Sequence, residues 1–267
     1  MTAPAGTVRR PGFAGLMAAY RFGLPAVLTK GRVIGSAALI VLVLVQFTAL
    51  SPEDLEGSGV STTTLFLALV IGILVPVFTV SMASNVVGAA VADGTLVYPW
   101  LRPAPRWQLA LGHIGAALTL NLPVALIASA GAAIVVSSST FGLDSAEGRN
   151  FLAGALAAGA AAALAYTPLV VALGARFKRA STFAFVYIFL WEQLFARNST
   201  GISRISLQTY VRSVFYGFSG ADPSAEFQQA GQLGEVVSPG VAWLVIAGVV
   251  VAGIALTALV LKQADVE

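Results

Sequence analysis

Charged residues are too scarce in this chain to cover the surface of a water-soluble globule. Of its 267 residues, 10% are charged and 57% are hydrophobic, against about 25% charged in a typical soluble domain. Lipid can cover what charge cannot. The apolar residues gather in six runs: Val33–Leu50, Thr62–Val91, Leu109–Val136, Phe151–Ala175, Ser181–Ala196 and Val241–Lys262. A helical span needs roughly 17–25 predominantly apolar residues, and only the fifth run is short of that. Helices and closed barrels alone satisfy their backbone hydrogen bonds in lipid. The expectation is an all-α membrane protein, a six-transmembrane-helix bundle forming a single domain over residues 1–267. The first run lacks a small-residue cleavage site and is followed by acidic residues, so it is read as a retained span rather than a signal peptide.

Basic residues orient the bundle. One set of connections holds Arg9, Arg10, Arg21, Lys30, Arg32, Arg102, Arg106, Arg176, Lys178, Arg179 and Lys262. The other holds only Arg149, Arg197, Arg204 and Arg212, with most of the acids. The positive-inside rule puts the first set, and with it both termini, in the cytoplasm. The expected location is the cell membrane. A composition rich in Ala, Gly, Val and Arg and poor in Lys points to a GC-rich bacterial genome.

Two segments outside the runs are amphipathic. In Phe13–Leu28, the residues Phe13, Leu16, Met17, Tyr20, Leu24 and Leu28 fall near one face, with Arg21 off it. That pattern predicts an N-terminal interfacial helix. In Ile202–Phe218, the apolar face holds Ile202, Ile205, Tyr210, Val211, Val214, Phe215 and Phe218, opposite Arg204, Gln208 and Arg212. It reads as an outer re-entrant or amphipathic helix before the last span.

Several residues inside the runs are candidates for function. Glu192 is the only carboxylate within an expected span, and ionisable groups there are functional candidates by default. The plainer reading pairs it with Arg197 or Arg204 in an outer cap. Asn85 and Asn121 can hydrogen-bond between helices. Phe66 and Phe78 could line an apolar path at a dimer interface, and Phe is also an ordinary lipid-facing residue. The residues Phe66, Phe78, Asn85, Asn121 and Glu192 are thus the candidates for a translocation path or outer gate. Small residues crowd Ala153–Ala165, and such runs let helices approach closely in lipid. Packing within the bundle is the plainer reading and subunit contact the sharper one. Pro76, Pro123 and Pro168 fall inside spans, where each can kink its helix. The chain has no cysteine and one histidine, His113, so thiolate and multi-histidine metal sites are not expected. His113 is read as snorkelling to the inner interface.

The sharpest pattern lies between the second and third runs. Asp93-Gly94-Thr95-Leu96 leads through a short apolar turn to Pro103-Ala104-Pro105-Arg106, and the third run opens with Leu111-Gly112. Gly94 suits a helix end, while Pro103 and Pro105 stiffen the turn into the third run. Physically this predicts a short rigid element between two helices, which can transmit a push or simply serve as a re-entry turn anchored to lipid phosphates by Arg102 and Arg106. The pattern resembles the first cytoplasmic loop of ABC-2 type permeases, with His113 standing where that family has Lys. The resemblance implies that Asp93, Gly94, Thr95, Arg102, Pro103 and Arg106 dock on an ATPase and that Phe13, Tyr20 and Arg21 belong to the family's interfacial helix. It also implies six spans with both ends inside and a second permease chain, identical or related.

The sequence holds no Gly-x-x-x-x-Gly-Lys-Ser/Thr phosphate loop, so ATP and Mg would bind a separate subunit. The expected function is a non-catalytic permease subunit of an ATP-driven exporter of lipid-like, amphipathic or drug-like molecules. It would have membrane lipid and an ABC ATPase as partners, and no nucleic acid, no metal and no cofactor of its own. The alternatives are a secondary transporter, for which the spans offer few buried charges, and a membrane-embedded enzyme or regulator, for which no catalytic cluster is visible.

Overall fold

A computed structural model describes residues 13–49, 61–92, 104–177, 179–195, 203–223 and 236–263. Every regular element among them is helical. Helix α1 is Ala14–Val27 and α2 is Lys30–Ala49. Helix α3 joins Thr62–Phe66, a π-helical stretch Leu67–Leu74, and Val75–Ala92. Helix α4 is Arg106–Val136, ending in a π-helical turn Ser137–Phe141, and α5 is Ala146–Arg176. Helix α6 is Ala180–Val186 continued by π-helical Tyr187–Phe195. Helix α7 is Leu207–Ser219 and α8 is Pro239–Gln263.

Five of these, α2, α3, α4, α5 and α8, are long and apolar enough to cross a membrane. All six apolar runs are helical within a few residues of their expected ends, but α6 is shorter than the other five. A 16-residue helix is about 24 Å long at most, less than the ~30 Å hydrocarbon core.

Helix α5 is the hub, packed against α3, α4, α7 and α8. Its small residues make this possible. A methyl group at Gly154 would lie 2.8 Å from the Phe215 carbonyl oxygen of α7, and one at Gly174 would lie 2.7 Å from that of Ser84 in α3. At Gly159 the Ala125 carbonyl oxygen of α4 would be 3.1 Å away. The small-residue run therefore serves packing inside the chain. At one end of the bundle Phe66, Phe151 and Phe215 form an aromatic knot with ring centroids 5.3–5.6 Å apart.

Charge separates the two ends. The four described carboxylates, Asp144, Glu147, Glu192 and Asp222, stand on the aromatic-knot side. Lys30, Arg32, Arg176, Arg179 and Lys262 lie at the opposite helix ends, with Arg149, Arg204 and Arg212 on the carboxylate side.

Helix α1 adds a contact face that the sequence reading did not name. It forms where expected, but its contact face is Gly15, Ala19, Gly23 and Val27, all buried. It runs alongside α4 in the same direction: Gly15 abuts Ala104 and Gln108, Gly112 abuts Leu16 and Ala19, and Gly23 abuts Ala116. Further on, Gly131 meets Leu44, so α2 continues along the same helix. The apolar residues Phe13, Met17 and Leu28 of the expected face are exposed, as the apolar face of an interfacial helix is before lipid covers it. Small-residue spacing at every fourth position lets two backbones approach, which a large apolar face cannot do.

This stacking explains the length of α4. At 36 residues it is about 54 Å long, well beyond a ~30 Å core. Helix α2 alone has the 20 residues of one crossing, so α1 and the first part of α4 extend past it at the basic end. The last part of α3 joins them, since Val86 also abuts Gly23.

Candidate functional site

Two regions gather the candidate residues. The first is the projection at the basic end. Arg106 opens α4 and is partly buried. Asp93, Gly94, Thr95, Arg102 and Pro103 lie outside the described residues. The helices holding them are described: α3 reaches Ala92 and α4 resumes at Arg106, with Ala104 already against Gly15 of α1. Tyr20 shares a hydrogen bond of 3.0 Å with Thr119, tying α1 to α4, while Phe13 and Arg21 are exposed.

His113 is not at a surface. It is 1% exposed, with Nδ1 2.7 Å from the Leu109 carbonyl oxygen and the Phe22 ring edge-on at 6.3 Å. The snorkelling expectation fails because α1, packed over this part of α4, covers the ring. Nδ1 is thereby the donor and Nε2 the lone-pair nitrogen, which has no hydrogen-bond partner.

The second region is a buried polar cluster at the acidic end, and sequence reasoning found only its centre. Glu192, 1% exposed, accepts from Tyr187 Oη at 2.6 Å, from Ser206 Oγ, and from the backbone N–H groups of Leu207 at 3.0 Å and Gln208 at 3.2 Å. These are the first two residues of α7, whose own N-cap residue, Ser206, makes no side-chain cap bond. The carboxylate therefore caps α7 from another helix and sits at the positive end of its dipole. Hydroxyls and amides supply these contacts; Arg197, one of the two expected arginine partners, lies outside the described residues. A π-helix repeats its hydrogen bonds every five residues, which aligns Tyr187 with Glu192 on one face of α6.

The next residue, Gln193, reaches α3. Its Nε2 donates to the Gly72 carbonyl oxygen at 2.5 Å. Pro76 has no N–H to offer the carbonyl four residues before it, which is that of Gly72, so the glutamine supplies a donor. A methyl group at Gly72 would lie 2.7 Å from Gln208 Nε2 and 2.9 Å from Gln193 Nε2. Two side-chain amides thus converge on the π-helical stretch of α3. Gln208 is 3% exposed, and neither of its amide atoms has a hydrogen-bond partner.

Both faces of α7 contribute to the interior. Gln208 and Arg212, of the polar face, are buried, while Ile205 and Phe218, of the apolar one, are 68% and 48% exposed. Val211, Val214 and Phe215 of the apolar face are buried as well. The signal that could have located the cluster is Tyr187 five residues before Glu192, followed by Gln193.

The remaining candidates are dispersed. Phe66 and Phe78 are covered by the chain's own helices, 0% and 3% exposed. Asn85 stays on its own helix, its Nδ2 3.4 Å from the Ser81 carbonyl oxygen and from Ser84 Oγ. Asn121 joins three helices: its Nδ2 donates to Thr79 Oγ1 and Thr167 Oγ1, both at 2.8 Å. Each threonine in turn donates to the carbonyl four residues back. Asn121→Leu leaves those last bonds intact, so the expected loss is about 1 kcal/mol. It would be read as a lower midpoint of unfolding in a detergent titration, and an unchanged midpoint would show the bridge to be dispensable.

The fold so defined is a helical bundle with apolar helices long enough to embed it in a membrane. No family model matches the chain, and no curated protein matches it. Among the described residues no group of His, Cys, Asp and Glu could hold a metal ion.

Proposed function

We propose that this chain is the permease subunit of an ATP-driven transporter of the ABC-2 class, with the energy supplied by a separate ATPase subunit. In this reading the basic end faces the cytoplasm, as the positive-inside rule requires, and the polar cluster around Glu192 faces out. The permease acts as a pair of chains, and α6 serves as a short sixth span. The cargo is an amphipathic or lipid-like molecule and the direction is export.

The observation that carries the reading is the projection at the basic end. Helices α3 and α4 run on past the start of α2 on the side where the segment Asp93–Arg106 joins them, and α1 packs against both. A turn needs no such buttress. A segment that receives force does, because displacement spreads through rigid, closely packed elements. The motif in that segment supports the same reading.

Co-expression with an ATPase encoded beside this chain, and purification by a tag on this chain alone, tests it. The ATPase is expected to co-purify and to hydrolyse ATP in lipid nanodiscs. Asp93→Ala and Arg106→Ala are each expected to weaken the association about tenfold, the equivalent of one charge-assisted contact. If no ATPase associates and neither change has an effect, the segment is a turn, and the secondary-transporter and enzyme readings take its place.

A further inference from the structure

A buried imidazole lies on the seam between α1 and α4. His113 is 1% exposed, and its Nδ1–H donates to the Leu109 carbonyl oxygen. Its other nitrogen, Nε2, is enclosed and has no hydrogen-bond partner. Helix α1 covers that edge of the ring. A methyl group at Gly23 would lie 3.5 Å from His113 Cδ2, the carbon bonded to Nε2, and the Phe22 ring stands edge-on nearby. The neutral ring carries only a lone pair at Nε2. A second proton there would create a buried N–H without an acceptor and a buried charge, and both are costly.

No described group at this end can offset such a charge. On the helices that contact α4, the charged residues here are Arg21 of α1, Lys30 and Arg32 of α2, Arg176 of α5 and Lys262 of α8, with Arg106 on α4 itself. All are cations. Tyr20 of α1 is the other titratable group, and the described part of α3 has none. The four described carboxylates stand at the far end, and Asp93, next after α3, lies outside the described residues. Water can reach Nε2 if α1 lifts, and α1 is lightly held. Its buried residues, Gly15, Ala19, Gly23 and Val27, are small, so little apolar area is lost on separation. The Tyr20–Thr119 bond that ties it to α4 is exposed, where water can replace it.

We propose that α1 is a proton-operated latch, in which proton uptake by His113 Nε2 releases α1 from α4. The seated form holds no proton at Nε2, and the lifted form, with the ring in water, takes one up. The lifted form therefore gains as pH falls, starting near the ordinary imidazole value of about 6.5. Below that, the ratio of lifted to seated form rises by up to about tenfold per pH unit, the limit for one proton. The latch is independent of any ATPase. Under the proposed function it would loosen the brace on the segment Asp93–Arg106 when the cytoplasm turns acidic.

Thiol labelling decides it, because the chain has no cysteine of its own. Val27→Cys places one on the contact face of α1, at a position 0% exposed, and Met17→Cys places one at a position 48% exposed on the same helix. A pyridyl disulfide reagent is applied to each in detergent from about pH 8 to about pH 5. The ratio of the two rates cancels the thiol's own titration. That ratio is expected to stay flat down to about pH 6.5 and then to rise by up to about tenfold per unit. His113→Gln is expected to remove the rise, and His113→Phe, which keeps a ring without a titrating nitrogen, carries the test if the glutamine does not fold. A cysteine at Val214 of α7, 0% exposed, is expected to stay protected throughout. A flat ratio in protein unaltered at residue 113, or an equal rise in its variants, overturns the latch. So does a rise lost in Asp93→Asn, or the same rise at Val214, which would report acid unfolding of the whole bundle.

Discussion

Glu192→Ala is expected to release helix α7 from the bundle. The change leaves the N–H groups of Leu207 and Gln208 and the hydroxyls of Tyr187 and Ser206 without their common acceptor. Hydrogen bonds to a charged group are worth about 1.5–3 kcal/mol each. Allowing for rearrangement of the hydroxyls, the loss should reach about 3–5 kcal/mol, in the range for breaking a buried charged contact. Glu192→Gln should lose less, since its carbonyl still accepts two bonds, though its NH2 then faces donors. The chain has no cysteine, so a single cysteine introduced at Val214, 0% exposed, can report the release. In otherwise unaltered protein it should resist a water-soluble maleimide, and with Glu192→Ala it should react readily. Equal protection in both would mean that α7 is held by Val211, Val214 and Phe215 alone.

The second large effect belongs to Gly112→Leu. A methyl group at Gly112 would already lie 2.5 Å from the Leu16 carbonyl oxygen and 2.9 Å from the Tyr20 nitrogen. These are backbone atoms and cannot rotate away as a side-chain tip can. Overpacking a good core usually costs about 1–3 kcal/mol, and here the upper end or more is expected because α1 must shift as a body. A cysteine at Ala19, buried in this contact, should become reactive in Gly112→Leu, while the spans keep their helicity. Unchanged protection would show that α1 and α4 can separate slightly without cost. Under the proposed function, the same variant should also lower coupled ATP hydrolysis, because α1 would no longer brace the projection.

The sequence made the spans legible and the faces less so. All six runs are helical because apolar length is a one-dimensional property that the chain displays directly. The face by which α1 meets the bundle went unread for a physical reason. In water, a helix buries its large apolar residues. Beside lipid those residues lose nothing by staying outside, and the small ones make the close contact. Gly15, Ala19 and Gly23 were therefore the informative positions, rather than Phe13, Leu16 and Met17. On helix α7, Gln208 and Arg212 turn inward because a buried carboxylate on α6 waits at the helix start. Nothing local to residues 202–218 announces that partner. The bond from Gln193 to Gly72 crosses 121 positions of sequence and depends on a proline and a π-helical stretch, neither of which hydropathy records. For the segment Asp93–Pro103, the motif is legible while its conformation lies outside the described residues.

The parallel stacking of α1 on α4 also sets an order of events during synthesis. Gly23 emerges long before Ala116, the residue it is to rest against, and the intervening chain takes a ribosome some 5–20 s to make at about 5–20 residues per second. Throughout that interval α1 has no groove to occupy, and its Gly-Ala-Gly face stays open while Phe13 and Met17 can already rest on lipid. The nascent chain must therefore hold its first helix provisionally at the bilayer surface and seat it only after the third long span has arrived.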